Sequence, residues 1–166
     1  MFARRLLATT ALTLVASSCM GSDSTGPLDP ADATFATSLG VDLSAMTRTD
    51  TGLYYQDLVE GDGEVAEEGG ELTVHYTGWL RDGTRFDTSR QEGRGPFSFT
   101  LGAREVIAGW DEGLEGMRVG GERKLVIPSW LGYGSAPYQS IPANSILVFE
   151  VELLAASPAP PEEEPN

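Results

Sequence analysis

The feature that most constrains this chain is a series of short segments in which apolar and polar residues alternate, separated by glycine and proline. The clearest segment runs from Glu71 to Leu80, where Leu72, Val74 and Tyr76 share one face. A period of two is typical of a strand that buries one face and exposes the other. The chain is therefore expected to build most of its fold from a sheet with one face on a core.

Other segments share this character, and one segment has a different period. Strand signals cover residues 53–59, 85–88, 97–101, 123–127 and 146–154. Between Glu105 and Gly116, Ile107, Trp110 and Leu114 recur at helical spacing, which predicts one short amphipathic helix. The predicted fold is of the α+β class, an antiparallel sheet of about five strands packed on one short α-helix.

Charge and two rare residue types exclude several functions. With 25 acidic residues against 11 Lys and Arg, the formal net charge of -14 argues against binding to nucleic acid, which needs a positive surface. The 166 residues contain one Cys and one His, too few for an internal disulfide, a cysteine-rich zinc site or a two-histidine metal site. No metal or cofactor is therefore expected, and a Ser-His-Asp hydrolase would have to use His75 as its base.

The first 18 residues are expected to be a signal peptide. Arg4 and Arg5 precede an apolar run of 11 residues from Leu6 to Ala16, and small residues follow. This order is typical of a secretory signal, and the run is too short for a bilayer, which needs about 20 residues. The protein is therefore expected to be exported.

Cys19 leaves two interpretations open. In one, cleavage falls near Ser18 and leaves an incidental thiol. In the other, which we favour, the run from Val15 to Cys19 resembles a bacterial lipoprotein signal, although Ala16 stands where such signals usually have Leu. That resemblance implies acylation of Cys19 and a lipid anchor to a membrane of the cell envelope, on its periplasmic or cell-surface side.

Composition divides the remainder of the chain into four parts. We expect a flexible linker over 19–31, an N-terminal lead-in over 32–51, one folded domain over 52–155 and a disordered acidic Pro/Glu tail over 156–166.

Seven motifs, in order and with similar spacing, carry a resemblance to a known family. They are Val74–Gly78, Gly83–Ser89, Pro96–Phe99, Val106–Gly113, Gly132–Gly134, Ile141-Pro142 and Leu147–Leu154. From about Gly52 to Leu154 the chain resembles the FKBP-type peptidyl-prolyl cis-trans isomerases. The resemblance implies a twisted antiparallel sheet wrapped around a short helix, proline-containing polypeptides as substrates, and binding of macrolides such as FK506 and rapamycin.

The resemblance also implies a role for ten residues. Catalytic roles fall on Tyr76, Asp87, Ile107 and Tyr133, where the Ile107 backbone N–H and the Tyr133 hydroxyl would meet a substrate carbonyl. Substrate-binding roles fall on Phe86, Phe97, Val106, Trp110, Ile141 and Phe149. Trp110 would form the floor under the proline ring, and Ile141 would close the side nearest the long loop.

Four departures from the family bear on substrate preference. The loop from Gly134 to Ile141 is shorter than in the familiar small members, and Tyr138-Gln-Ser140 replaces a more apolar stretch. One residue is added near 91–95 and another between Pro128 and Tyr133.

The chemistry suits an aromatic pocket. Turning an amide through 90° costs about 18–20 kcal/mol but breaks no bond, so no nucleophile or metal is needed. Apolar surroundings disfavour the polarised planar amide, and fixed contacts can hold the twisted one. Several of these side chains also have a structural interpretation. In it, Trp110, Phe97 and Phe99 belong to the core, Asp87 braces a turn and Tyr133 lies on the surface.

Two alternatives to the isomerase stay open at this point. One is a proline-peptide-binding module or holdase chaperone on the same fold with little turnover. The other is a hydrolase using His75, but we expect that residue to make a local hydrogen bond on a sheet face.

Overall fold

The computed structural model describes residues 26–159. Seven strands and one α-helix form its regular structure. In chain order they are β1 (Thr47–Arg48), β2 (Tyr54–Val59), β3 (Glu71–Leu80), β4 (Arg85–Thr88), β5 (Phe97–Thr100), α1 (Ala108–Gly113), β6 (Glu122–Ile127) and β7 (Leu147–Ala156). Short 3₁₀ turns cover Pro30–Asp32, Thr37–Leu39, Leu43–Ala45 and Ser129–Leu131.

All strand pairs are antiparallel, and the sheet has the order β1-β2-β6-β7-β3-β4, with β5 also paired to β3. The ten-residue strands β3 and β7 lie side by side near its centre. Their alternating sequences explain this position, because each presents a continuous row of apolar side chains to one face.

The helix is short and depends on close packing against the sheet. A Cβ on Gly109 would lie 2.5 Å from Ile127 Cγ2, and one on Gly113 would lie 2.8 Å from Leu125 Cδ2. Glycine lowers helix propensity by about 1 kcal/mol at each site. These two glycines therefore lower the intrinsic stability of the helix and allow direct contact between α1 and β6.

The two faces of the sheet carry separate hydrophobic cores. The helix-side core contains α1 and most of the aromatic rings, including Trp110, Phe99 and Phe149. The arm-side core lies under the segment 28–46, called the arm below, which packs on Tyr54, Val126, Ile146 and Val148. Both faces of the sheet are therefore covered.

The predicted α+β fold, a sheet wrapped around one short helix, is confirmed. The sheet has seven strands rather than about five, because β1 adds a two-residue edge pair to β2 and because β4 and β5 each pair with β3. Within the described residues, no helix is both long enough and apolar enough to span a bilayer.

The expected boundaries shift at both ends. The linker predicted over 19–31 overlaps folded chain, because Pro30 is buried and Asp29 pairs with Arg48 at 3.2 Å. The tail predicted from residue 156 also overlaps folded chain, because Ala156 belongs to β7 and the Ser157 N–H donates to the Glu71 carbonyl at 2.9 Å. The signal peptide, Cys19 and residues 160–166 lie outside the described residues.

Candidate active site

A cavity of about 510 Å³ opens on the helix side of the sheet. Nine of the ten predicted site residues line it, together with four others. The lining is Tyr76, Phe86, Asp87, Phe97, Glu105, Val106, Ile107, Ala108, Trp110, Gly132, Tyr133, Tyr138 and Phe149. A volume of this size is typical of small-ligand and peptide-side-chain pockets.

Trp110 lies at the floor of this cavity and is held by other aromatic rings. Its ring centroid is 5.1 Å from that of Tyr76 and 5.3 Å from that of Phe149, both nearly perpendicular. The side chain is 4% exposed, and its Nε1 has no hydrogen-bond partner among the described residues. Edge-to-face ring contacts fix the indole without filling the space above it.

A glycine in β3 allows two wall residues to meet. A Cβ on Gly78 would lie 2.7 Å from both Phe149 Cε1 and Phe86 Cζ. The Phe86 and Phe149 rings pack at 5.5 Å between centroids and 88° between planes. Any larger residue at position 78 would therefore displace part of the pocket wall.

Tyr76 and Asp87 come together through the β3–β4 register. Asp87 is paired with Gly78, so it shares a face with Tyr76, two residues away on β3. The Tyr76 hydroxyl donates to Asp87 Oδ2 at 2.7 Å, and Arg94 forms an ion pair with Oδ1 of the same carboxylate. One carboxylate therefore holds a phenol and a guanidinium at the rim of the cavity.

The protonation states of this group follow from its contacts. Burial raises the pKa of Tyr76 well above its usual value of 10.0, and the hydrogen bond to Asp87 adds to this effect. Partial burial raises the pKa of Asp87, but hydrogen bonds from Tyr76 and Arg94 outweigh burial and hold that pKa below 3.8. Near neutral pH, Tyr76 is thus a neutral donor and Asp87 an anion.

Ile107 presents its backbone to the cavity at the start of α1. It is the N-cap residue, with φ -64° and ψ 146°, and no side-chain cap is present. Its N–H donates none of the backbone hydrogen bonds within residues 26–159. The first N–H groups of a helix have no partner inside the helix, so this donor is available to a bound carbonyl.

Tyr133 and Tyr138 form a stacked pair on the loop side. Their ring centroids are 4.4 Å apart and their planes differ by 5°. Burial raises the pKa of Tyr133, and Tyr138 and Asp87 add smaller increases. Tyr133 therefore offers a neutral hydroxyl in the ordinary range of pH.

The expectation for Ile141 is corrected by the structure. Ile141 does not line the cavity: it is 4% exposed and packs in the helix-side core. Its backbone pairs with that of Tyr138 in both directions, at 2.8 and 2.9 Å. Ile141 anchors the turn, and Tyr138 lines the cavity on this side.

Sequence reasoning missed Tyr138, Arg94 and Glu105 as site residues. Tyr138 and Arg94 lie in two of the segments that are expected to depart from the family, and that expectation was the available signal. The prediction for His75 is confirmed, because its Nδ1 makes a 2.8 Å hydrogen bond with Ser89 Oγ on the sheet. Phe99, 3% exposed, belongs to the core.

The arrangement favours binding and holding over proton transfer. It combines a buried aromatic floor, a free backbone N–H and two neutral phenols, with an anion paired to arginine at the rim. These groups can enclose an apolar ring and accept or donate hydrogen bonds around an adjacent amide.

Comparison with known proteins identifies the family that the sequence motifs resemble. The family described as FKBP-type peptidyl-prolyl cis-trans isomerase matches residues 63–154. An FK506-binding protein of Neisseria meningitidis serogroup B (strain ATCC BAA-335 / MC58) is 55% identical over 104 residues, which cover 62% of this chain and 94% of that protein. The FKBP-type peptidyl-prolyl cis-trans isomerase FkpA of Escherichia coli (strain K12) is 47% identical over 126 residues, 76% of this chain and 44% of that protein.

Solved structures agree in fold. The crystal structure of FkpA from Escherichia coli matches with a TM-score of 0.64 and 46% identity, over 70% of this chain and 53% of that one. The crystal structure of AtFKBP13 matches with a TM-score of 0.62 and 35% identity, over 68% of this chain and 98% of that one. This chain therefore belongs to the FKBP-type peptidyl-prolyl cis-trans isomerase family, and its activity is rotation of Xaa-Pro peptide bonds.

Proposed function

We propose that this isomerase acts on exported polypeptides by stabilising a twisted Xaa-Pro amide in the aromatic cavity, without covalent chemistry. The observation that carries the proposal is the open cavity of about 510 Å³ over the Trp110 indole. The proline ring packs on this indole, and Phe86, Phe97 and Phe149 surround it. Val106 completes the apolar wall.

The energy required is within reach of such contacts. The uncatalysed barrier is about 18–20 kcal/mol, and a rate increase of about 10⁶ needs roughly 8 kcal/mol of preferential stabilisation. Apolar walls disfavour the planar, polarised amide more than the twisted one. Fixing the ring and the carbonyl in one orientation supplies a further share.

Hydrogen bonds hold the rotating group. The Ile107 N–H and the Tyr133 hydroxyl donate to the substrate carbonyl next to the proline. Asp87, oriented by Tyr76 and Arg94, interacts with the dipole of the turning carbonyl. Because Asp87 is an anion and both phenols are neutral from about pH 5 to about pH 9, the rate is expected to be independent of pH over that range.

The test is magnetisation-exchange NMR on a Xaa-Pro peptide with the purified protein. Trp110→Leu and Phe149→Leu should each lower the exchange rate at least tenfold, about 1.4 kcal/mol. Trp79→Leu is the matched control, because Trp79 packs in the arm-side core on the other face of the sheet. Equal rates for Trp110→Leu and Trp79→Leu would contradict the pocket assignment, and a macrolide of the FK506 type should inhibit the wild type.

We also propose that the protein is exported and anchored by acylated Cys19 at the cell envelope. The support is the sequence of residues 1–19, a basic start, an apolar run and a small-residue end before the cysteine. Cys19→Ser should move the protein from the detergent phase to the aqueous phase in a partitioning experiment. Equal partitioning of the two proteins would contradict the anchor and leave the isomerase activity untouched.

A further inference from the structure

We propose that Trp130 is a positioning residue that holds the Tyr133 hydroxyl in place for the substrate carbonyl, although its indole is not part of the cavity lining. The inference rests on the proposed function, in which that hydroxyl donates to the carbonyl next to the proline. Trp130 lies in the 3₁₀ turn Ser129–Leu131, which leads directly into the Gly132 and Tyr133 wall of the cavity.

The backbone around Tyr133 needs support from outside its own segment. Tyr133 stands between Gly132 and Gly134, and the second of these glycines has a φ of 72°. Glycine leaves the chain more conformational freedom than other residues. A hydroxyl that acts on a rotating carbonyl has to be held to within about 0.5 Å. Contacts beyond the Gly-Tyr-Gly segment must therefore fix it.

The preceding turn supplies the first part of this support. The Ser129 carbonyl accepts the Gly132 N–H at 3.0 Å and the Gly134 N–H at 2.8 Å, so one acceptor closes the backbone on both sides of Tyr133. Ser129 is buried, and the Leu131 side chain packs against the helix-side core. The turn and the tyrosine therefore form one unit, and a contact that holds the turn also holds the hydroxyl.

Trp130 joins this turn to the segment that links β1 to β2. Its indole N–H donates to the Thr51 carbonyl at 2.8 Å, and its ring lies against Gly52. A Cβ on Gly52 would lie 3.1 Å from Trp130 Cζ2, so the close contact depends on glycine at that position. Trp130 is 45% exposed. An exposed indole held at two points adds little to the core, but it fixes the turn that carries it.

The segment that receives the indole is tied in turn to the helix of the site. The Thr51 hydroxyl lies 2.7 Å from Glu112 Oε1 and 2.8 Å from Oε2, so it donates to that carboxylate. Glu112 belongs to α1, which begins after Ile107. These contacts therefore connect the two donors assigned to the substrate carbonyl, one at Ile107 and one at Tyr133.

The test is a double-mutant cycle of Trp130→Phe and Tyr133→Phe, measured by magnetisation exchange on a Xaa-Pro peptide. Trp130→Phe keeps a ring but loses the donor to Thr51, so kcat should fall about 2- to 12-fold while KM changes less than about twofold. In the Tyr133→Phe background the same change should alter kcat less than about twofold, because the hydroxyl that it positions is gone. Trp79→Phe, in the arm-side core, is the matched control and should show no coupling to Tyr133.

A second measurement does not depend on catalysis. Hydrogen exchange of the Gly132 and Gly134 amides should be about 2- to 12-fold faster in Trp130→Phe, while the amides of β7 keep their rates. Trp79→Phe should leave the exchange of the two glycine amides unchanged.

Each other result has a defined meaning. Equal effects of Trp130→Phe on kcat in both backgrounds would overturn the proposal, because the residue would then act on stability alone. Unchanged exchange of the two glycine amides would also overturn it. A Tyr133→Phe variant as active as wild type would refute the role of that hydroxyl, and the proposal with it. Absence of acceleration by wild type would instead refute the proposed function, so the two failures are distinguishable.

Discussion

The two hydrophobic cores on either side of the sheet are built from different kinds of residue. The arm-side core is packed from buried side chains such as Val126 and Val148, and its buried amine is paired. The hollow of about 600 Å³ at its edge is lined mainly by small and polar residues of the arm and of 142–146. The helix-side core is rich in aromatic rings and leaves about 510 Å³ open. The two faces of the same sheet therefore differ in kind, because only the helix-side cavity is lined by Trp110 and several other aromatic rings.

Buried cations are paired on both sides of the sheet, Arg123 on the helix side and Lys124 on the arm side, and one buried donor is the exception. On the arm side, the buried Lys124 ammonium donates to the Leu39 carbonyl at 2.6 Å and pairs with Glu150 at 3.1 Å. On the helix side, the buried Trp110 Nε1 has no partner within the described chain. Buried donors are normally satisfied, so this unpaired indole N–H is a cost to stability that the helix-side core carries.

The largest expected effect is that of Trp110→Ala, which removes the floor of the helix-side cavity. The free energy of unfolding should fall by about 3–5 kcal/mol, and kcat/KM should fall about 100-fold. Urea unfolding and magnetisation exchange measure the two quantities. If the variant kept kcat/KM within twofold of wild type, the helix-side core would not differ from the arm-side core in its effect on activity.

The matched change in the arm-side core is Ile146→Ala. It should lower the free energy of unfolding by about 2–5 kcal/mol through the cavity it creates. Because Ile146 lies on the opposite face from α1, kcat/KM of the folded variant should stay within about twofold of wild type. A loss of activity as large as that of Trp110→Ala would show that the two faces are not independent.

A smaller effect is expected for Lys124→Met, the only lysine in the sequence. The change leaves the Leu39 carbonyl and Glu150 without their donor, which should cost about 1–3 kcal/mol of unfolding free energy. Hydrogen exchange of the arm, residues 28–46, should rise with it. Unchanged exchange would show that the arm does not depend on this ammonium.

The smallest change in stability is expected for Asp87→Asn at the rim of the helix-side cavity. The Asn side chain still offers the Tyr76 hydroxyl an acceptor, so the fold should persist. Loss of the negative charge should lower kcat about tenfold. Since the folded pKa of Asp87 lies below 3.8, its contribution to stability is present above that value and is lost as pH falls through the folded pKa. The stability gap between wild type and Asp87→Asn should therefore narrow below about pH 4, and a constant gap would contradict it.

The sheet could be anticipated because alternation is a local pattern, whereas the pocket residues could be anticipated only through the motifs that resemble the family. Alternation marks β3 and β7, and the strand register brings Tyr76 and Asp87 to one face. The arm was not anticipated as a second core cover, because its three 3₁₀ turns carry no periodic signal and only their tertiary packing defines them. The choice of Tyr138 over Ile141 depended on a loop length, which sets a turn that composition does not reveal.

The central claim is that the cavity binds a twisted prolyl amide more tightly than a planar one. The most direct measurement compares the dissociation constants of two ligands of the same sequence by titration calorimetry, an ordinary proline peptide and an analogue whose prolyl carbonyl is held out of plane. The account predicts that the out-of-plane analogue binds at least about 100-fold more tightly, and that Trp110→Leu removes most of this advantage. Equal affinity of wild type for the two ligands would contradict the account.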